Sequence, residues 1–299
     1  MSQKALQSVK NSTNVRSEKL IQWSIKMGFG ITQQVAPTLA ARLAARLFCT
    51  TRRFRRPQRE KRWMRDALPL ETRVNGQRIA VWTWGTGPAV LFVHGWEGRG
   101  SQLGAYVEPL VKAGFRVVAF DGPGHGGSDG RTSSIPQMAR AMVRVGQMFG
   151  PFQGVISHSF GTAATTYALE LGLNAKRLVY IAPPADFDIY LNMLAELVGM
   201  SDTTRERMLG LFETQLGIRW SELRRFNLDL ARDLPLLVVH DSDDLEIPAE
   251  LGRQVADAWP NSRFLATSGL GHRRILRTDH VVDAVIAFVN ETTEARRAS

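Results

Sequence analysis

The chain has 299 residues, of which 44% are hydrophobic and 22% charged, the composition of an ordinary globular protein. Cys49 is its one cysteine, which excludes an intramolecular disulfide and favours a reducing, cytoplasmic location. Fifteen basic and three acidic residues give residues 1–66 a net charge of +12, whereas the remaining residues carry −2. Because the body is nearly neutral, a nucleic-acid-binding function is excluded for it.

Residues 1–66 are predicted to form a basic amphipathic arm. Large apolar residues recur there every four positions: Ile31, Val35, Leu39, Leu43 and Leu47. This stripe indicates a helix that is kinked or begins near Pro37. Eight basic residues follow within residues 52–65. Residues 31–65 therefore suit peripheral association with an anionic membrane, on its inner face, and a helix docked on the body with a solvated linker is the alternative.

The arm is predicted neither to cross a membrane nor to act as a secretory signal. No run of about 18 apolar residues occurs in it, so a transmembrane helix is excluded. The segment LAARLAARLFC carries arginines inside its apolar run, which a secretory signal would keep clear.

Residues 67–299 alternate between apolar strands and helices, which predicts a mostly parallel sheet with helices on both faces. The predicted strands are RIAVWTW, AVLFVHG, FRVVAFDG, GVISHS, RLVYIAPP, PLLVVHD and SRFLATS. A helical insertion at about residues 185–233, between the strands RLVYIAPP and PLLVVHD, breaks the alternation. We interpret it as a small cap.

Ser159, in the segment SHSFG, lies where a predicted strand passes to a helix. A nucleophilic serine at such a turn needs a sharp, strained backbone with small residues two positions to either side. Ser157 and Gly161 meet that requirement, although glycine is the usual residue at position 157. The pattern alone is equally typical of an ordinary serine turn.

A base and an orienting acid would convert Ser159 from a poor into a competent nucleophile. His272 follows the last short strand between two glycines, and it is the predicted base. Asp244 is the predicted acid because its spacing to a following Ile-Pro places it in the turn facing His272. Asp241, Asp243 and Asp186 remain alternatives, and helix capping or solvated charge accounts for the first two.

The predicted oxyanion donors are two backbone N–H groups, those of Trp96 and Phe160. Trp96 belongs to the glycine-rich segment HGWEGRG, in which His94 and Gly95 support the turn. His94, like His158, lies at a strand end and is interpreted as structural.

These segments, in this order, resemble the blocks of the α/β-hydrolase superfamily serine hydrolases over about residues 70–290. The matching segments are HGW, DGPGHGGSDG, SHSFG, DSDDLEIP and GLGHRRIL. The resemblance implies an α/β-hydrolase fold with a helical cap, and a bracing role for the segment DGPGHGGS. Serine at position 159 argues against the superfamily members that open epoxides or carbon–halogen bonds with an aspartate.

The sequence therefore predicts a serine hydrolase that cleaves a small-molecule ester or thioester through Ser159, His272 and Asp244, with no cofactor and no metal. An apolar acyl group is expected because the insertion is rich in Leu and Met. Two alternatives stay open: a non-catalytic α/β-hydrolase fold that binds a membrane surface, and an acyltransferase that uses the same three residues.

Overall fold

Eight strands pair into one sheet in the computed structural model, which describes residues 20, 22–230 and 233–291. The strands are β1 (Leu68–Val74), β2 (Gln77–Trp84), β3 (Ala89–Val93), β4 (Arg116–Phe120), β5 (Phe152–His158), β6 (Leu178–Ile181), β7 (Leu236–Asp241) and β8 (Ser262–Thr267). Seven of them coincide with the predicted strands. The first, β1, was not predicted.

The strand order is β1-β2-β4-β3-β5-β6-β7-β8. The pairs β1–β2 and β2–β4 are antiparallel, and every later pair is parallel. The carboxyl ends of β3 to β8 therefore lie along one edge of the sheet, where this class of fold places its functional groups. The predicted mostly parallel α/β-hydrolase architecture is confirmed.

Helices connect the parallel strands and cover both faces of the sheet, as the alternation of elements predicts. In chain order, the helices are α1 (residues 22–35), α2 (Pro37–Cys49), α3 (Gln58–Trp63), α4 (Val107–Lys112), α5 (Ile135–Phe149), α6 (Phe160–Glu170), α7 (Asp188–Val198), α8 (Asp202–Leu216), α9 (Trp220–Leu223), α10 (Phe226–Asp229), α11 (Ala249–Ala258), α12 (Gly271–Arg274) and α13 (Asp279–Asn290). Short 3₁₀ turns precede α4 at Gly100–Tyr106 and follow α12 at Ile275–Arg277.

The core is built from the central strands, whose residues are apolar on both faces. Every residue of β3 is buried, and so is every residue of β6 and β7. Val281, Val285 and Phe288 of α13 pack into the same cluster. Burial on both faces explains why these strands read as continuous apolar runs and not as alternating ones.

The described chain forms two compact units. One contains the residues up to Cys49 together with Phe187–Ser221, and the other contains Thr50–Asp186 and residues from Glu222 onward. The sequence placed the boundary of the arm at residue 66, whereas the contacts place residues 50–66 with the sheet.

In the first unit, α2 packs against α8 through its small residues. Ala40, Ala41 and Ala44 are buried, and Phe48 lies 5.6 Å from the ring of Phe212. The helix that the sequence predicts in the arm is thus present as two successive helices, α1 and α2, and α2 begins at Pro37. None of the described helices has the length and the hydropathy that are needed to cross a bilayer.

Candidate active site

Ser159 occupies a strained turn between β5 and α6. Its φ of 51° and ψ of −122° lie in a region that residues other than glycine rarely adopt. Its N–H donates to the Ile181 carbonyl at 2.9 Å, and its carbonyl accepts the Thr162 N–H at 2.9 Å and the Thr162 hydroxyl at 2.7 Å. These three bonds hold the strained backbone in place. The side chain stands at the edge of the sheet, and the residue is 5% exposed.

Small neighbours are required on both sides of this turn. A Cβ on Gly161 would lie 2.6 Å from the His94 carbonyl oxygen, and one on Gly95 would lie 3.2 Å from Ser159 Cβ. Ser157, which stands where glycine is usual, turns its hydroxyl to Thr165 Oγ1 at 2.6 Å. That hydrogen bond satisfies the buried hydroxyl, so serine is accommodated at this position.

Asp244 and His272 form a buried pair. His272 Nδ1 lies 2.7 Å from Asp244 Oδ2, while Asp244 Oδ1 accepts the N–H groups of Glu246 and Ile247 at 2.8 and 2.9 Å. Burial alone would raise the pKa of Asp244, but hydrogen bonds from His240 and His272 outweigh it and hold the pKa below its ordinary value. The carboxylate is therefore ionised at neutral pH and fixes the imidazole with Nδ1 protonated.

The other candidate acids serve different purposes. Asp241 accepts the N–H groups of Leu270 and Gly271 at 3.1 and 2.9 Å, and Asp243 accepts that of Gly269 at 2.7 Å. Both carboxylates thus hold the backbone of the turn that carries His272. Asp186 pairs with Arg224. Of the four acids considered from the sequence, Asp244 is the one that contacts His272.

His158 links the serine turn to the histidine turn. Its ring centroid lies 4.5 Å from that of His272, and its Nε2 lies 3.0 Å from the His272 carbonyl oxygen. Burial, followed by the charge of His272, lowers the pKa of His158 well below its ordinary value, so the ring is neutral and donates through Nε2. Its structural role was predicted, but this partner was not, because only the fold brings residues 158 and 272 together.

The loop after β3 lies directly against the serine turn. His94 Nε2 accepts the Gly122 N–H at 2.9 Å, and its Nδ1 lies 2.8 Å from the Gly95 carbonyl oxygen. Burial lowers the pKa of His94 to about 4, so the ring is neutral and Nδ1 is its donor. The Trp96 ring meets the Phe160 ring at 5.1 Å, edge to face. Among the residues the structure describes, the Trp96 N–H has no hydrogen-bond partner.

Residues 50–66 brace the loop after β3, a role that the sequence did not predict. Arg52 forms a bidentate ion pair with Glu97. The backbone of Glu97, like that of Ser159, has a positive φ, here 53°. Arg99 forms a second, buried pair with Glu60 at 2.6 and 3.0 Å. The clue in the sequence is Glu60 itself, an isolated acid among eight basic residues.

Asp121, in the segment DGPGHGGS, braces the same region from β4. Its Oδ1 accepts the Gly100 N–H at 2.8 Å and its Oδ2 accepts the Gly127 N–H at 2.7 Å. Burial is the largest influence on this carboxyl and raises its pKa. The contacts fit the bracing role that the resemblance implies.

The predicted site residues therefore gather at the carboxyl ends of β3, β5, β7 and β8. Asp244 and His272 are hydrogen-bonded, and Gly95 and His158 lie against Ser159 and His272. Within the described part of the chain, no hydrogen bond joins the Ser159 hydroxyl to His272. Across the same residues, no group of three or more His, Cys, Asp or Glu side chains is placed to hold a metal ion.

Comparison with known proteins finds several that this chain resembles in sequence or in fold. An uncharacterised protein of Mycobacterium tuberculosis, Rv2307c, is 29% identical over 248 residues, covering 76% of this chain and 80% of its own. A putative lipase, lip1, from Acinetobacter baumannii superposes with a TM-score of 0.60 at 17% identity, over 78% of this chain and 93% of the lipase. The esterase EaEST from Exiguobacterium antarcticum gives 0.59 at 17% identity, over 73% and 97%.

A sequence model of the alpha/beta hydrolase family matches residues 90–288, which include every predicted site residue. That range runs from β3 to α13, so the match covers the parallel part of the sheet and the loops at its carboxyl edge. The chain belongs to the alpha/beta hydrolase family.

Proposed function

We propose that this protein is a serine hydrolase that cleaves carboxylic ester or thioester bonds through Ser159, His272 and Asp244. The observation that carries the proposal is the buried 2.7 Å contact between His272 Nδ1 and Asp244 Oδ2, formed beside a serine whose backbone is strained. A structural serine turn would require neither the strain nor an oriented imidazole next to it.

In the proposed reaction, Ser159 Oγ attacks the carbonyl carbon while His272 Nε2 takes the hydroxyl proton. Asp244 keeps the imidazole in the required tautomer and stabilises the imidazolium that forms. The oxyanion is held by the N–H groups of Trp96 and Phe160. His272 then gives its proton to the leaving alcohol or thiol, and an acyl-enzyme remains on Ser159.

Water completes the cycle. His272 removes a proton from a water molecule, the resulting hydroxide attacks the acyl carbon, and the proton returns to Ser159 Oγ as the carboxylic acid leaves. In the proposed substrate complex the Ser159 hydroxyl donates to His272 Nε2, since catalytic hydrogen bonds that are long in a free enzyme tighten when substrate binds.

The proposed substrate is a small-molecule ester or thioester with an apolar acyl group. The rings of Trp96 and Phe160, 5.1 Å apart, present an apolar surface next to the nucleophile. The lipase and esterase that share this fold are consistent with an ester substrate. A non-catalytic fold has no use for a fixed His–Asp pair, which makes that alternative the weaker one.

A fluorophosphonate probe tests the proposal, since it reacts only with an activated serine. The wild-type protein is expected to be labelled at Ser159, and Ser159→Ala is expected to lose labelling and roughly 10⁶-fold in kcat on p-nitrophenyl butyrate. Ser242→Ala, which alters an exposed serine at the same edge of the sheet, is the matched control and keeps both. Labelling of Ser159→Ala equal to that of the wild type would contradict the proposal.

Two further measurements separate the remaining alternatives. Addition of a primary alcohol should raise turnover little for a hydrolase, whereas an acyltransferase would form the new ester in preference to the acid. A series of p-nitrophenyl esters should show a maximum at a short or medium acyl chain. Equal slow cleavage of all of them, with fast cleavage of a charged peptide ester, would refute the apolar acyl group.

A further inference from the structure

The first unit exposes a continuous row of large apolar side chains along α1 and α2. We call it the apolar stripe, and it consists of Met27, Ile31, Val35, Leu39, Leu43 and Leu47. Each of these residues is between 42% and 81% exposed. Single exposed apolar residues are ordinary on protein surfaces, but a row that runs the length of two successive helices is not.

The apolar stripe is not the face through which these helices pack. In α2, the alanines of the opposite face are buried against α8. In α1, Gln33 fixes the helix to the insertion, because its Oε1 accepts the Ser201 N–H at 3.0 Å and its Nε2 donates to the Gly199 carbonyl at 3.1 Å. The sequence left open whether this helix lies on a membrane or docks on the body. The structure shows that the alanines dock and the leucines face outward.

Charge distinguishes the possible occupants of the apolar stripe. Residues 20–49 contain three basic residues, Lys26, Arg42 and Arg46, and no acidic one. All three are exposed, and the two arginines of α2 flank Leu43. Trp23, 60% exposed, stands one turn before Met27. Basic residues beside an apolar row, with a tryptophan at its end, are typical of helices that lie in the interface of an anionic bilayer.

A second copy of the chain would fit this surface less well. In a two-fold contact, the same patch of each copy faces the other, so basic residues would face basic residues with no acid in either segment to pair with them. Anionic lipid headgroups supply charge opposite to that of Lys26 and Arg42.

Two of the arginines that follow in sequence contact residues of the second unit. Arg52 pairs with Glu97, and the Arg53 guanidinium donates to the carbonyls of Ser128 and Gly130. The membrane hypothesis drawn from the sequence covered residues 31–65 as one surface. Both arginines belong to the second unit, so the membrane-binding surface is proposed here for the apolar stripe of the first unit alone.

We propose that the apolar stripe binds the surface of an anionic lipid bilayer, with α1 and α2 lying in the plane of the interface. The six side chains enter the headgroup–acyl boundary while Lys26 and Arg42 meet the headgroups. This inference does not depend on the proposed ester hydrolysis.

Co-sedimentation of the full-length protein with vesicles tests it. Binding is expected to vesicles that contain phosphatidylglycerol, with weaker binding to pure phosphatidylcholine and loss of the difference in high salt. Leu39→Gln/Leu43→Gln is expected to lower the partition coefficient roughly tenfold or more, because each glutamine removes apolar area that would enter the bilayer. Thr38→Gln, at an exposed position of α2 off the stripe, is the control and binds like the wild type.

Three measurements keep the result interpretable. Thermal melting of Leu39→Gln/Leu43→Gln should match that of the wild type, because the replaced side chains are exposed. Should that variant fail to fold, quenching of Trp23 by brominated lipid, absent in Trp23→Phe, gives the same answer in an otherwise intact protein. Lys26→Gln/Arg42→Gln should reduce binding to the anionic vesicles and leave binding to the neutral ones unchanged.

The proposal is overturned if the wild-type protein sediments with neither vesicle, or if Leu39→Gln/Leu43→Gln binds as well as the wild type. It is also overturned if the protein does not bind vesicles and light scattering shows a dimer that Leu39→Gln/Leu43→Gln dissociates. That outcome would assign the apolar stripe to a second copy.

Discussion

The buried ion pair between Glu60 and Arg99 should make a large contribution to stability that depends on both partners. Its side chains are 3% and 9% exposed, and Glu60 accepts Arg99 Nε at 2.6 Å, Arg99 Nη2 at 3.0 Å and Ser101 Oγ at 2.7 Å. Glu60→Gln keeps the shape but removes the charge and turns an N–H toward the guanidinium. Breaking one partner of a buried pair costs about 3–5 kcal/mol, because the other charge stays buried and unpaired.

Urea denaturation of the two proteins, followed by circular dichroism, measures this cost. Glu71→Gln, at an exposed position of β1, is the matched control and is expected to change the free energy of unfolding by less than about 0.5 kcal/mol. In a double-mutant cycle, Arg99→Met should cost at least ~1.5 kcal/mol less in the Glu60→Gln background than in the wild type. A loss below about 1 kcal/mol for Glu60→Gln, or additive costs, would refute the reasoning.

Three further predictions follow from the site. Burial lowers the pKa of His94 to about 4 and that of His125, the histidine of the segment DGPGHGGS, to about 3, from an unfolded value of 6.5. Protons therefore bind the unfolded chain first as the pH falls. The stability contributed by the neutral rings is complete above pH 6.5 and declines below it. In urea titrations, the free energy of unfolding should therefore fall by roughly 3 kcal/mol between pH 7.5 and 5.5. An unchanged free energy of unfolding over this range would contradict the prediction. Asp244→Asn should lower kcat on a p-nitrophenyl ester about 10⁴-fold, whereas Asp243→Asn should stay within about tenfold, and similar losses in both would exclude Asp244 as the acid. Gly161→Ala should destabilise the protein by about 1–3 kcal/mol in thermal melting, although alanine normally favours a helix. A higher melting temperature than that of the wild type would show that the contact with the His94 carbonyl oxygen is relieved and would refute the prediction.

The sequence predicts the sheet well where the strands are buried on both faces. β3, β6 and β7 are continuous apolar runs because helices cover them on either side. β1 was missed for the opposite reason. It is an antiparallel edge strand in which only Thr72 is buried, so it lacks the continuous apolar run that identifies the central strands.

The site was predictable as far as local geometry determines it. The small residues around Ser159 and the turns that carry Asp244 and His272 can be read from the chain, because each turn places its own requirement on its neighbours. The contact of His158 with His272 joins residues 114 positions apart. The attachment of Glu60 to Arg99 spans 39 positions. No local pattern reports such pairings.

The arm shows where an apolar period is ambiguous. A four-residue repeat identifies one side of a helix, but it does not state whether that side packs on protein or faces outward. In α2, which packs against α8, the buried residues are alanines, whereas Leu39, Leu43 and Leu47 are 42–52% exposed.

The contacts of residues 50–66 determine where this protein can be shortened. A chain trimmed to begin at residue 67 would lose the Thr51 hydroxyl that donates to the Gly124 carbonyl at 2.7 Å, the Arg53 contacts with the same turn and the carboxylate that neutralises Arg99. The remaining hydrolase would keep every residue of the proposed triad while the loop that carries Trp96 lost its outer support. Deletion of the first helices for crystallisation or engineering should therefore stop before Thr50.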